Sequence, residues 1–293
     1  MKKTFLSAFV LKIIALVTMT IDHVGAIIPL YTEDVPNELI MAFRIIGRLA
    51  LPLFLFLLFE GMNKSRNKEK YLLRISILTL SIFIGEMLIY LLYMPLAFPN
   101  NILDLFLCAL FLYLVYSKKK WMRYLAIIPF AYSLLSTVVV VIENSLNMII
   151  EWLPLFVRPD YGFFSMLIVC LFYLSQKLLM YRYMKYNPSF DIETIKDSEE
   201  FNKSKTIGCA FAIIIANVIY WITFRLIFPS GDPFSFGVGI QTYSILASVL
   251  ILFYNEKKGF SNKYFKYGSY IYFPLHIVII FIIMQIIFYG KIF

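Results

Sequence analysis

Hydrophobic residues gather into long runs along the chain, and short polar stretches separate these runs. A helix needs about 20 predominantly apolar residues to cross the hydrocarbon core of a bilayer. The pattern therefore predicts nine membrane-spanning helices joined by short loops. They cover residues 9–31, 43–62, 72–94, 102–117, 122–142, 162–181, 206–228, 238–254 and 268–289.

Composition supports the same class. Hydrophobic residues make up 61% of the 293 residues and charged residues only 15%, whereas a soluble domain is about 45–50% apolar. This balance excludes a soluble globular enzyme, a disordered chain and a disulfide-stapled secreted domain. We predict an all-α fold, a polytopic transmembrane helix bundle of about nine spans, forming one domain over residues 1–293 with no room for a sizeable soluble domain.

The net charge of +9 is informative because of where the basic residues lie. With nine spans, every basic cluster falls on one side of the membrane, and the opposite side keeps only Arg158 and Lys291. The clusters occupy residues 2–12, 64–74, 118–123, 177–205 and 257–266. Cytoplasmic loops carry the excess of Lys and Arg, so we predict a cytoplasmic N-terminus and an external C-terminus. We expect no nucleic-acid partner.

Cysteine and histidine are scarce. Cys108, Cys170 and Cys209 all lie within apolar runs and have no partner at metal-ligand spacing, so we interpret them as packing residues. The only histidines are His23 and His276, which excludes a site of the three-histidine type. We therefore expect no metal.

Several ionisable residues fall at membrane depth, where each costs on the order of 2–4 kcal/mol or more without a polar surrounding or a partner. Two explanations compete: buried salt bridges that orient helices, and a functional site. The set comprises Asp22, His23, Arg44, Arg48, Glu60, Glu86, Asp104, Arg225 and His276.

Spacing brings part of this set together. Arg44 and Arg48 are four residues apart, so they share one face of the second helix. The first two helices are antiparallel neighbours because their loop is short, so Asp22 can meet an arginine. His23 then projects about 100° around the first helix, and a neutral imidazole is a natural proton shuttle. Taken alone, His23 would be a satisfied core histidine.

Lys12 precedes His23 by eleven residues, close to three helical turns, so both point the same way. They are separated by roughly 16 Å along the helix axis. A ligand with phosphates in the cytosol and a long thin arm matches that distance. The alternative for Lys12 is an interfacial lysine that snorkels to the membrane surface.

Several segments resemble motifs of the TraX family. Near the N-terminus they are Leu11-Lys12-Ile13-Ile14-Ala15-Leu16, Ile21-Asp22-His23 and Phe43-Arg44-Ile45-Ile46-Gly47-Arg48. The later ones include Asn101-Ile102-Leu103, Asp160-Tyr161-Gly162, Leu252-Phe253-Tyr254-Asn255 and Tyr270-Ile271-Tyr272-Phe273-Pro274-Leu275-His276. The motifs keep the family's order from about residue 11 to 277, so the resemblance covers nearly the whole chain.

The resemblance implies an integral-membrane acetyltransferase; the member that names the family acetylates the N-terminus of a conjugative pilin subunit. The family is similar to a wider superfamily that carries acyl groups from cytosolic acyl-CoA to acceptors beyond the membrane. Many of those proteins place a basic residue ten intervening positions before a histidine, as Lys12 and His23 are placed here. Acetyl-CoA would be the acyl donor, a surface protein, glycan or lipid the acceptor, and the bacterial cytoplasmic membrane the location.

On this basis we assign expected roles. His23 is the general base or a transient acetyl carrier, and Asp22 orients a neighbouring group or holds the arginines. Arg44 and Arg48 bind an anionic group or stabilise the oxyanion, and Lys12 holds the phosphates of CoA. His276 either contacts the pantetheine arm of CoA or fills the gap left by the missing hydrogen bond of Pro274. The residues at the outer ends of spans either line the acceptor mouth or act as turn and cap residues; they are Asn101, Asp160 and Tyr161. We interpret Glu60, Glu86 and Arg225 as members of structural pairs.

Three alternatives stay open. One keeps acyl transfer but uses a different acyl donor, or a glycan or lipid acceptor. A multi-pass transporter also buries charges, but it commonly has repeated halves, and the sequence shows no internal repeat. A non-catalytic assembly factor for a surface appendage needs the basic loops but not the spacing of Lys12 and His23.

Overall fold

The computed structural model describes residues 5–92, 101–186, 191–229 and 237–289. Helices account for 82% of these residues. The β pairing among them is one isolated parallel bridge between Leu6 and Tyr254. The prediction of an all-α fold is confirmed.

Twelve α-helices follow one another in the described parts of the chain. They are α1 (Ala8–Ile27), α2 (Asn37–Gly47), α3 (Ala50–Lys64), α4 (Lys68–Leu92), α5 (Asn101–Val115), α6 (Lys120–Tyr124), α7 (Ile127–Leu146), α8 (Phe163–Tyr186), α9 (Ile192–Asp197), α10 (Glu199–Ile227), α11 (Ala247–Leu252) and α12 (Lys263–Tyr289). The same described parts contain three 3-10 helices, at Ile28–Leu30, Leu155–Val157 and Gly237–Leu246.

Seven helical segments within the described residues are long and apolar enough to cross a membrane. The predicted spans 102–117 and 238–254 correspond to two shorter apolar helices, Ile102–Val115 and Gly239–Leu252. The chain is therefore a polytopic helical membrane protein. Nine apolar segments lie where nine were predicted, and two of them are short for a full crossing.

The second predicted span is interrupted. Its helix stops at Gly47, turns at Arg48 and Leu49, and resumes at Ala50. Pro52 explains the break, because proline has no N–H to donate to the carbonyl four residues earlier and its ring crowds that carbonyl. The turn places Arg48 at the end of α2, where its backbone N–H donates to carbonyls of the last turn.

The chain divides into two compact units. One comprises the described residues of 1–54 and 174–293, and the other comprises 55–173. The single domain expected over 1–293 stays a prediction.

In the first unit, α1 packs against α2 and α12. The α1–α2 contact is close because Gly25 faces α2: a Cβ at that position would lie 2.8 Å from Cβ of Phe43. Small residues allow membrane helices to approach in this way. On another side of α1, Leu16 and Met19 pack with Tyr272 of α12. The first helix is thus held by one neighbour from its own end of the chain and one from the opposite end.

The second unit has an aromatic centre in which the ring of Phe172 lies 5.4 Å from that of Phe59. Arg158, predicted as an external loop residue, is buried in the same unit. Its guanidinium donates to the carboxylate of Glu143 at 2.5 and 3.0 Å and to the carbonyl of Ile150 at 2.9 Å. These bonds fold the segment between α7 and α8 back onto α7.

Candidate active site

Asp22 lies at the centre of an ion-pair cluster between α1 and α2. Arg44 Nη1 donates to Asp22 Oδ2 at 2.8 Å, and Arg48 Nη2 donates to both carboxylate oxygens at 2.5 and 2.7 Å. Asp22 is 7% exposed, and the Arg44 side chain is 24% exposed. Asp22 was expected to pair with one arginine, and it pairs with both Arg44 and Arg48. These three side chains together carry one excess positive charge.

Gly47 makes room for this cluster. A Cβ there would overlap the side chain of Asp22. The backbone of α2 therefore lies directly against the carboxylate, and Arg44 and Arg48 reach it from either side of Gly47. The sequence Arg-Ile-Ile-Gly-Arg provides two cations and the space between them.

Arg48 links the cluster to a third element. Its Nη1 donates to Oε1 of Gln241 at 3.3 Å, and Gln241 belongs to the 3-10 helix Gly237–Leu246. Gln241 is buried, and its Nε2 makes no hydrogen bond to any residue that the structure describes. A buried amide hydrogen is thus available beside the ion pair.

The two histidines are in contact. Their ring centroids are 4.8 Å apart with the planes nearly perpendicular, and Nε2 of His276 lies 3.4 Å from Nδ1 of His23. The sequence did not predict this contact. α12 begins at Lys263, so His276 falls near the middle of the helix, where it reaches His23.

Backbone carbonyls determine which nitrogens carry hydrogen. Nδ1 of His23 lies 2.8 Å from the carbonyl of Met19, and Nδ1 of His276 lies 2.8 Å from that of Tyr272. A carbonyl only accepts, so both neutral rings carry their hydrogen on Nδ1. His276 Nε2 then points a lone pair toward His23. The Nε2 of His23 also has a lone pair, and it makes no hydrogen bond among the described residues.

Tyr272 supports the histidine pair. Its ring stacks on that of His276 with centroids 5.2 Å apart and an angle of 11°. Its hydroxyl lies 2.5 Å from Oγ1 of Thr20, which itself donates to the carbonyl of Leu16. Because the hydrogen of Thr20 is engaged there, Tyr272 donates to Thr20. This bond fixes the tyrosine ring, and the ring fixes His276.

Lys12 turns toward α12. Its ammonium donates to Oγ of Ser269 at 2.5 Å and lies 5.3 and 5.6 Å from the ring centroids of Phe265 and Tyr270. Lys266 lies close enough to interact with it electrostatically. A snorkelling lysine extends freely to the interface, whereas Lys12 is held between two helices beside a second cation.

The predicted acceptor residues lie in the second unit. Asn101 is the first residue of α5, and its side chain is outside the described part of the structure. Asp160 and Tyr161 precede α8, and the N–H of Tyr161 donates to the carboxylate of Asp104 at 3.1 Å. That contact favours the turn and cap interpretation for Tyr161; the roles of Asn101 and Asp160 stay predictions.

Two of the three residues expected to form structural pairs, Glu60 and Arg225, contact residues close to them in sequence. Glu60 forms an ion pair with Lys64, one turn later on α3, with Nζ and Oε2 2.9 Å apart. Arg225 donates to the carbonyl of Pro229 at 3.4 Å, at the end of its own helix. Glu86 is half-buried on α4.

Sequence reasoning missed Gln241, Tyr272, Thr20 and Ser269. Gln241 had a signal, since it is a polar residue inside a predicted span. Tyr272 and Ser269 lie one turn or two from His276, so they were candidates once that helix was considered for the site. Thr20 had no signal, because a threonine in a membrane helix commonly bonds its own backbone, as it also does here.

The first unit therefore brings together a basic imidazole nitrogen, a buried cluster with excess positive charge and a lysine about three turns away on the same helix. An imidazole lone pair can take a proton. Guanidinium and amide groups can stabilise an oxygen that gains negative charge. Such a combination suits group transfer to a nucleophile that must lose a proton.

Comparison with known proteins identifies the family of the chain. No solved structure matches the chain. A probable fimbrial assembly protein, FimC of serogroup H1 from Dichelobacter nodosus, is 45% identical over 69 residues, which is 24% of this chain and 27% of that protein. The match thus spans about a quarter of the relative's length. The family model described as TraX protein matches residues 7–284. The chain belongs to the TraX family.

Proposed function

We propose that this protein is a membrane acetyltransferase that uses cytosolic acetyl-CoA to acetylate an amine or hydroxyl at the outer side of the membrane. The observation that carries the proposal is the position of His23. Its Nε2 makes no hydrogen bond to the described residues, and His23 lies on the same helix as Lys12 and as Asp22, which holds two arginines. Family membership supports the reaction type, as the resemblance implied.

His23 takes the proton in this scheme. As the acceptor nitrogen or oxygen attacks the acetyl carbon, its hydrogen passes to Nε2 of His23. The bond from carbon to the acceptor forms, the bond from carbon to sulfur breaks, and the thiolate of CoA leaves with the electron pair. The imidazolium then returns the proton to that sulfur. The bond from Nδ1 to the carbonyl of Met19 keeps the ring in the required tautomer throughout.

The alternative use of His23 is covalent. Nε2 attacks the acetyl carbon itself, and the thiolate of CoA leaves with the electron pair of the C–S bond. The acceptor then takes the acetyl group from the imidazole, and the proton that the acceptor loses passes to the freed Nε2 and from there to the thiolate. Both routes need the same lone pair on Nε2. They differ in whether labelled protein accumulates when acceptor is withheld.

The arginines act through charge. Asp22 holds both guanidinium groups and offsets one of their charges, which keeps them in place at tolerable cost inside the membrane. Arg44 is the more exposed of the two, so it presents the excess charge to an anionic group of a bound substrate. We therefore keep anion binding or oxyanion stabilisation as the proposed roles of the two arginines.

In the proposed function, Lys12 forms the cytosolic end of the acetyl-CoA binding site. It lies roughly 16 Å from His23 along α1, and Ser269 orients its ammonium. Phosphates are natural partners for an ammonium beside a second cation, here Lys266. The nucleotide part of acetyl-CoA would lie there while the pantetheine arm extends along α1 toward the histidines. In this scheme His276 contacts the arm only near its thioester end.

The fimbrial relative bears on the acceptor. Its printed name concerns fimbrial assembly, and the resemblance implied acetylation of a pilin N-terminus. We propose a pilin-like protein of the cytoplasmic membrane as the first acceptor to test, followed by surface glycans and lipids. The name of this relative is equally compatible with a second candidate function, that of a non-catalytic assembly factor for a surface appendage.

Labelled acetyl-CoA separates these functions. Purified protein is incubated with the label and with membranes from a strain lacking the gene, and label is followed in peptides, glycans and lipids. Transfer by the natural protein but not by His23→Ala supports the enzyme. An intact, well-folded protein that transfers no label to any fraction, while its deletion still abolishes surface appendages, would support the assembly factor instead.

A further inference from the structure

The oxygen and the nitrogen of the Gln241 side-chain amide differ in their hydrogen bonding. Gln241 is 6% exposed, and Oε1 accepts from Arg48 Nη1 at 3.3 Å. Nε2 makes no hydrogen bond to any of the described residues. The orientation of the amide follows from its partner, because a guanidinium only donates and the amide oxygen must therefore face it. Two amide hydrogens consequently point away from Arg48 inside the protein.

A buried donor without an acceptor is uncommon and costly. Its chemistry defines what it can bind: an oxygen or another acceptor, and not a cation or a second donor. The adjacent Asp22, Arg44 and Arg48 carry one excess positive charge. An oxygen that is negative, or becomes so, suits that surrounding best.

The backbone that carries Gln241 is fixed. One turn further along the 3-10 helix, Oγ of Ser244 donates to Oδ1 of Asn217 on α10 at 3.0 Å. The amide of Asn217 in turn donates to the carbonyl of Ile213 at 2.9 Å. Ser244 and Asn217 are both buried. A donor on such a support needs little reorganisation when charge develops nearby, which is the condition for effective stabilisation of a transition state.

We infer that Gln241 donates an Nε2 hydrogen to the acetyl carbonyl oxygen as that oxygen becomes negative during transfer. This inference rests on the proposed acetyltransferase function. When the acceptor attacks the carbonyl carbon, the carbonyl π electrons move onto the oxygen, where Gln241 and the arginine charge stabilise them. When the oxygen regains its double bond, the bond from carbon to sulfur breaks. Gln241 neither gains nor loses a proton.

Gln241→Glu tests the donor separately from the contact with Arg48. Glutamate keeps an oxygen toward Arg48 and replaces the amide nitrogen by a second acceptor. We expect kcat to fall about 10²- to 10³-fold, with the KM for acetyl-CoA changed by no more than about twofold. Gln176→Glu places the same new carboxylate at another buried glutamine, on α8, and should keep its kcat if it melts like the natural protein.

Each result has one meaning. Unchanged kcat in a folded Gln241→Glu protein overturns the inference and leaves Gln241 only the contact with Arg48. A higher KM for the acceptor at unchanged kcat also overturns it, because the amide then binds the acceptor. If Gln241→Glu does not melt cooperatively, Gln241→Asn decides, since it withdraws the amide by one methylene; unchanged kcat there overturns the inference. A natural protein that transfers no acetyl group refutes the proposed function itself.

Discussion

Two buried aspartates, one in each unit, show how differently this protein handles a carboxylate inside a membrane helix. Asp22 is 7% exposed and Asp104 is 1% exposed. Asp22 is held by two guanidinium groups. Asp104 accepts from Oγ of Ser165 at 2.7 Å and from the N–H of Tyr161 at 3.1 Å, both neutral donors.

The partners explain the difference in use. The donors to Asp104 come from the turn before α8 and its first residues, so this carboxylate fastens a loop to α5. The donors to Asp22 come from one helix and leave excess charge beside a histidine. A buried carboxylate at membrane depth therefore does not by itself indicate an active site. The indication is that its partners leave an uncompensated charge next to a group that can take a proton.

The largest effect should come from His23→Ala. Loss of a general base lowers turnover about 10²- to 10⁴-fold, and loss of a covalent carrier leaves essentially none. In the covalent case the natural protein retains label from acetyl-CoA without acceptor. Turnover is measured on purified protein, and folding is checked by thermal melting. The control is Cys108→Ala, a change at a buried residue near Asp104 in the second unit, and this variant should remain active. A dead His276→Ala protein beside a near-normal His23→Ala protein would show that the other histidine is the base.

Next comes the same isosteric change at both aspartates. Asp22→Asn leaves two guanidinium groups without their carboxylate, and breaking such a buried pair costs about 3–5 kcal/mol. Asp104→Asn keeps one acceptor oxygen and costs about 1–3 kcal/mol. Chemical denaturation should rank them in that order. Turnover of the folded protein should fall only for Asp22→Asn, and equal turnover in the two variants would remove the functional distinction between the aspartates.

Lys12→Ala should raise the KM for acetyl-CoA roughly ten- to a hundredfold, because one charge-assisted phosphate contact is worth about 1.5–3 kcal/mol. The KM for the acceptor should change much less. Lys203→Ala serves as the control, since Lys203 is an exposed lysine paired with Glu199 one turn away. An unchanged KM for acetyl-CoA in the Lys12 variant would return that residue to a packing role between α1 and α12.

The smallest effect should be that of His276→Ala. Its ring touches His23 but lies behind Nδ1, on the side away from the reactive Nε2. We expect a loss of roughly tenfold or less, well below that of His23→Ala. A loss as large as that of His23→Ala would mean that the two rings act as one unit.

Apolar run length was enough to locate the helices, because the bilayer sets the length that a span needs. The four-residue spacing of Arg44 and Arg48 was enough to predict a pair with Asp22, because the two helices are joined directly. The break at Arg48 was also predictable in principle, since Pro52 stands four residues later. These features all depend on nearby residues.

The remaining parts of the site depend on which distant helices pack together. His276 and Gln241 reach the cluster from α12 and the 3-10 helix, and hydrophobic spans resemble one another too closely to reveal their neighbours. The contact between His276 and His23 was not predicted for this reason. Gln241 was overlooked because a single amide in an apolar run has no meaning until Arg48 is placed beside it.

The pairing of α1 with α12 also has a consequence for biosynthesis. Lys12 and Ser269 are 257 residues apart, and His23 and His276 are 253 apart. At about 5–20 residues per second, the ribosome needs roughly 10–50 s to make the intervening chain. During that time α1 is already in the membrane without its later partner. A chain released before α12 is complete therefore lacks the pairing altogether, and the reaction centre is among the last parts of the molecule to assemble.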